Sequence, residues 1–167
     1  MVLVYTVRMD RNDILKLVIS SGATELAGLV GSVFTAPSVS LWYASLQKPY
    51  FAPPNWLFSP VWTVLFVLLG LSLFLIWRHG WRHREVKQAI ILYIVQLSLT
   101  ITWSIIFFGL ESPGWAALLV VFLWFSVFGS IASGLRVSKA AAYLLIPHVL
   151  WLAYAVYFNI ALLLLPV

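Results

Sequence analysis

Five long apolar stretches, set apart by short polar or proline-bearing connections, constrain this chain more than any other feature. A helix crossing a hydrocarbon core of about 30 Å needs about 20 mostly apolar residues at a rise of about 1.5 Å each. Five segments meet that length, near residues 14–34, 60–77, 88–108, 114–135 and 140–165. None alternates apolar and polar residues as a barrel strand does, so each reads as a transmembrane helix. The chain is 63% hydrophobic and 9% charged, with a mean hydropathy of +1.01. A soluble domain carries about 25% charged residues. Lipid must therefore solvate most of the exterior. At 167 residues, the expected fold is all-α: one transmembrane domain over residues 1–167, built as a five-helix bundle.

The net charge of +5 does not point to nucleic acid, because the basic residues lie between apolar spans rather than on a soluble surface. With five spans, Arg8, Arg11, Lys16, Arg78, Arg82, Arg84, Lys87, Arg136 and Lys139 share one side, and Lys48 alone lies on the other. Basic residues accumulate on cytoplasmic loops, so the N-terminus is expected in the cytoplasm and the C-terminus on the opposite face. The first apolar run is too long for a cleaved signal segment and contains Glu25, so it is expected to remain as a span. The absence of cysteine removes disulfides and thiolate chemistry.

Nine Trp, seven Tyr and eleven Phe are more than an interfacial aromatic belt requires. Several cluster in the one long connection, Thr35 to Ser59. Three prolines within six residues there, Pro49, Pro53 and Pro54, stiffen the backbone and remove donors. A short helix over Ser40–Leu46 is expected, with Ser59 as N-cap of the next span and Pro60 at its first position. The residues alone leave two readings of this loop: a rigid connector anchored at the interface, or an aromatic lid over one end of the bundle.

Three motifs make the pattern specific. The loop and second span read Trp42-Tyr43-Ala44-Ser45-Leu46-Gln47-Lys48-Pro49-Tyr50-Phe51-Ala52-Pro53-Pro54, then Phe58-Ser59-Pro60-Val61-Trp62-Thr63-Val64-Leu65-Phe66. The third span carries Gln96-Leu97-Ser98-Leu99-Thr100, then Trp103-Ser104-Ile105-Ile106-Phe107-Phe108. The fifth carries Pro147-His148-Val149-Leu150-Trp151, then Ala155 and Phe158-Asn159. In order and spacing these resemble the TspO/translocator protein family, also known as tryptophan-rich sensory proteins or peripheral benzodiazepine receptors. Phe51 stands where that family often has Trp, Phe66 where Tyr is common, Thr100 for the usual Asn and His148 for the usual Tyr. No Lys or Arg follows Tyr157, so the sterol-type pattern of Leu or Val, Tyr, then Lys or Arg is missing, which lowers the expectation of dedicated sterol binding.

Helical spacing places Trp62 with Phe66; Gln96 with Thr100, Trp103 and Phe107; and Trp151 with Ala155 and Asn159. Unpaired amides and hydroxyls avoid lipid, so Gln96, Thr100 and Asn159 should turn inward and carry the aromatics with them. Either a packed interface or an aromatic-walled cavity satisfies that geometry. The resemblance implies the cavity, with porphyrins such as protoporphyrin IX or haem, and other flat apolar molecules, as ligands and no required cofactor. The expected ligand-facing set is Trp42, Tyr43, Lys48 and Pro53 from the loop, then Trp62, Phe66, Thr100, Trp103, Phe107, Trp151, Ala155 and Asn159. Lys48 would meet a porphyrin carboxylate.

Glu25, a mid-span carboxylate, and Gln96 are expected as structural polar residues, with a ligand or proton role for Glu25 as the alternative. Gly22, Gly28, Gly31 and Ser32 beside Glu25 would permit close helix approach, and the resemblance implies a homodimer. His79 and His83 have a metal-compatible spacing but sit among arginines, so no metal site is expected. His148 reads as a hydrogen-bonded packing residue rather than a haem ligand. The leading functional expectation is a receptor or sensor. The alternatives are a transporter of tetrapyrroles or lipophiles, a structural membrane partner, and an enzyme of light- and oxygen-dependent porphyrin breakdown. For the enzyme, which the resemblance implies, Trp62 and Trp151 are the candidate redox residues.

Overall fold

The computed structural model describes residues 9–165; Arg8, counted above among the basic residues, lies outside them. Seven α-helices follow in chain order: α1 Arg11–Ser40, α2 Trp42–Ser45, α3 Phe58–Trp77, α4 Arg84–Ser104, α5 Pro113–Leu135, α6 Lys139–Tyr143 and α7 Ile146–Leu163. A 3-10 turn over Asn55–Leu57 leads into α3, and a π-helical turn over Ile105–Gly109 closes α4. These elements form five units long and apolar enough to cross a membrane. The protein is an integral, multi-pass, five-helix membrane bundle.

Local chemistry explains the boundaries. The Asp10 carboxylate accepts a 2.7 Å hydrogen bond from the Asp13 N–H and caps the start of α1. The Asn55 amide donates to the Val39 carbonyl at 3.1 Å, satisfying an acceptor in the last turn of α1, which runs through Pro37. The short helix expected before the prolines is α2. Ser59 and Pro60 are not the cap and first residue of the second span. The 3-10 turn already sets the helical track, so α3 begins at Phe58, and the Ser59 carbonyl accepts from Thr63 Oγ1 at 2.9 Å inside the helix. The fifth span breaks into α6 and α7 because Pro147 has no N–H for the carbonyl four residues earlier.

α1 packs on α3 and α4, α4 on α5, α5 on α7, and α6 on α3. The spans therefore close a ring in the order first, second, fifth, fourth, third. Each interior face is a stripe at alternating steps of three and four: Val86, Ala89, Tyr93, Gln96, Thr100 and Trp103 on α4; Ala116, Val120, Leu123, Val127 and Ser130 on α5; His148, Leu152, Ala155 and Asn159 on α7. Large apolar side chains such as Leu26, Val67, Ile94, Phe122 and Leu150 point outward and stay exposed, as a lipid-facing surface requires.

α1 and α3 come close at Gly70, where an added Cβ would lie 2.8 Å from Thr24 Oγ1 and 2.9 Å from Ser21 Cα. Hydrogen bonds also cross between spans. Ser72 donates to the Ala141 carbonyl at 2.8 Å, and the Trp124 indole donates to the Val149 carbonyl at 3.1 Å. At the end of the bundle where α1 begins, Arg78 pairs with Asp13 at 3.3 Å.

Candidate functional site

Two concavities flank α3, and they differ in chemistry. On one side, α1, α3 and α4 bound a cavity of about 360 Å³. From α3 come Phe58, Ser59, Trp62, Thr63 and Phe66; from α4, Thr100, Ile101 and Ser104. From α1 come Glu25, Gly28, Gly31, Ser32, Thr35 and neighbouring apolar residues, and Asn55 closes the loop end. Exposed Leu29, Ser32, Ala36 and Thr63 form its rim, so the cavity opens laterally between α1 and α3. On the other side, α3 and α7 leave a shallower apolar groove of about 640 Å³ lined by Trp56, Pro60, Val64, Pro147, Leu150, Trp151 and Tyr154, among others.

Glycine makes room for the first cavity. The Phe66 ring lies over Gly28, where a Cβ would come within 2.7 Å, and Ser104 Oγ sits 3.2 Å from a Cβ built on Gly31. Both glycines thus serve packing within the chain, and Gly22 has nothing within 4 Å.

Behind the cavity wall the interior is filled by rings. Trp62 stacks on Phe66 at 5.6 Å and lies 6.4 Å from Trp103, which stacks on Phe107 at 5.1 Å. Trp42 meets Phe107 edge-on at 5.4 Å, and Tyr43 touches Phe58, Phe108 and Phe158. Consecutive Phe107 and Phe108 in the π-helical turn are both buried.

The proline-rich loop is tied over this end. Tyr43, fully buried, donates its hydroxyl to the Pro53 carbonyl at 2.8 Å, and Tyr154 donates to the Phe51 carbonyl. Lys48 Nζ bonds the Ala44 carbonyl at 3.1 Å and lies 5.0 Å from the centre of the Tyr43 ring, so its ammonium helps end α2.

The expected site residues therefore fall into three groups. Trp62, Phe66 and Thr100 line the cavity. Trp42, Tyr43, Pro53, Trp103 and Phe107 form the aromatic packing and loop anchor beside it, and Ala155 and Asn159 are buried on α7. Lys48 is bonded to the backbone of α2, and Trp151 belongs to none of the three groups. Trp151 is half-buried in the α3–α7 groove, its ring 5.4 Å from Tyr154. Four-residue steps each advance about 40° around a helix, so Trp151 lies about 80° from Asn159. The stripe that stays inward is His148, Leu152, Ala155 and Asn159.

His148 was expected to be hydrogen-bonded. It is buried with its ring 6.1 Å from Trp62, and neither nitrogen has a partner among the described residues. The Gln96 amide, Trp103 Nε1 and Asn159 Oδ1 are likewise buried without partners there. Interior polar atoms of this kind normally find a protein, water or ligand partner. Sequence reasoning missed the α1 wall as a unit, although Glu25, Gly28, Ser32 and Thr35 carry a helical three-four-three spacing that signals one face.

The model of the TspO/MBR family matches residues 20–165. The chain is 42% identical over 154 residues to the tryptophan-rich protein TspO of Archaeoglobus fulgidus, covering 92% of this chain and 98% of that one. It is 39% identical over 151 residues to the tryptophan-rich protein TspO of Chlorobaculum tepidum, covering 90% and 96%. It is 35% identical over 131 residues to the translocator protein of Bos taurus, covering 78% of each.

Proposed function

The chain belongs to the TspO/MBR family, and from that membership and the cavity beside Trp62 we propose that it is a membrane receptor or sensor for flat apolar ligands, porphyrins foremost. The observation that carries this reading is the Trp62–Phe66 stack, which presents an aromatic wall to a laterally open cavity inside the lipid-spanning region. Aromatic faces stack on a conjugated ring, and hydroxyls such as Thr100 and Ser104 offer polar contacts at its edge. The unpartnered Trp103 donor beside Trp62 suits a polar periphery once Trp62 rotates aside. Lateral opening suits a ligand that arrives dissolved in the bilayer.

The test is a dark titration of purified protein with protoporphyrin IX, following Trp fluorescence. Saturation near one ligand per chain in the wild type, with affinity reduced in Trp62→Phe, supports the reading. Quenching that never saturates, or that is identical in the variant, means partition into the micelle and ends it.

The same proposal includes orientation, with the N-terminal end on the cytoplasmic side; the basic residues Arg11, Lys16, Arg78, Arg82, Arg84, Lys87, Arg136 and Lys139 support it. The chain has no cysteine, so single cysteines introduced at Ser138 and Gln47 report their own sides. An impermeant maleimide applied to intact cells should label position 47 and spare 138; the reverse pattern would invert the topology.

A further inference from the structure

Glu25 is the one charged side chain in the cavity lining. Among the described residues it forms no hydrogen bond and no ion pair; the pair present is Arg78–Asp13, at the end of the bundle. An intramembrane carboxylate without a counter-charge is costly and marks a site that meets a cation or a proton. Its surroundings decide between these. Gly28, one turn further along α1, lies directly beneath the Phe66 ring, so the carboxylate and the Trp62–Phe66 platform line the same cavity where α1 meets α3. A carboxylate beside stacked aromatic faces is the arrangement that recognises an organic cation, by charge at one end and by cation–π attraction and apolar contact along the body. The basic groups nearest in sequence are turned elsewhere. Lys16 is nine positions earlier, about 13 Å along the helix, and Lys48 is bonded to the backbone of α2.

We propose that the α1–α3–α4 cavity selects a lipophilic organic cation, a flat aromatic body carrying one protonated amine or quaternary nitrogen, with Glu25 as its counter-ion. The inference rests on the flat-ligand reading for the place of binding and adds the charge. It also orients a porphyrin: the carboxylates turn away from Glu25, and the pyrrole face lies on Trp62 and Phe66.

The probes are 10-methylacridinium and 9-methylanthracene, which match in shape and differ in charge. Each is titrated by fluorescence against wild-type protein in discs of zwitterionic lipid, and binding to protein-free discs is subtracted. The wild type should prefer the cation by tenfold or more. Glu25→Gln should bring the two probes to within about twofold by lowering cation affinity alone, and Glu25→Asp should restore most of the preference. Equal affinities in the wild type, or a preference that survives Glu25→Gln, overturns the assignment. Thermal unfolding of each variant guards against misfolding, and the wild-type ratio stands whatever the variants do. If the neutral probe and protoporphyrin IX bind without a cation preference, Glu25 loses its role and the flat-ligand reading stands. If the cation alone binds, the assignment stands and the porphyrin reading falls.

Discussion

The two sides of α3 show how similar composition can lead to different chemistry. The α1–α3–α4 side is cut into the bundle by glycines, holds a carboxylate and six hydroxyl-bearing residues, and backs onto a continuous aromatic interior. The α3–α7 side is a broader trough with two tryptophans and no charged residue. Both carry a conspicuous Trp, yet only Trp62 touches the interior rings and His148. Aromatic content alone therefore does not mark a site in lipid. What distinguishes the first side is a carboxylate and hydroxyls gathered in a recess within the lipid-spanning region, where an apolar solvent makes polar groups costly unless partnered.

The largest effect should come from forcing apart the α1–α3 contact that holds the first side together. Gly70→Val pushes a side chain against Ser21 backbone and Thr24, so α1 must separate from α3. We expect a loss of about 2–3 kcal/mol, read as a lower detergent melting temperature, with ligand quenching abolished. Val64→Leu, on the exposed rim of the other side, should stay within about 0.5 kcal/mol. A Gly70→Val protein as stable as the wild type would mean that the close approach is dispensable.

Next in size is the contrast between the tryptophans. Trp62→Ala should weaken protoporphyrin IX binding at least tenfold, about 1.4 kcal/mol, whereas Trp151→Ala should change it less than twofold. Equal losses would move the site to the interior between α3 and α7. The smallest effect concerns the loop above. Tyr43→Phe removes the fully buried bond to the Pro53 carbonyl and should cost about 1 kcal/mol. Tyr154→Phe, at a more exposed bond, should cost less. Hydrogen exchange of Phe51 and Ala52 should accelerate more in the first variant than in the second.

The sequence alone carried most of the architecture. Lipid permits few solutions, so apolar length specified five helices, and the three motifs specified the family. Gln96 and Thr100 were readable as interior residues because their alternative was exposure to hydrocarbon. Trp62 and Phe66 followed from one regular stripe. Trp151 lies off the inward stripe of α7 because a run of four-residue steps resembles a face over one turn and leaves it over two. The π-helical turn that carries Phe107 and Phe108 was not anticipated, because no propensity rule reads a local signal for it.

What the sequence by itself determined is the set of choices made one helix at a time: which segments enter the membrane, and which stripe of each avoids lipid. What only the tertiary structure decided is which stripes meet. Gly28 beneath Phe66, Glu25 in one cavity with Thr100, and Lys48 bonded to α2 are consequences of how separate segments dock. Docking depends on steric fit between surfaces distant in sequence, summed over many contacts of about 0.1–0.2 kcal/mol each, and no local pattern encodes that sum.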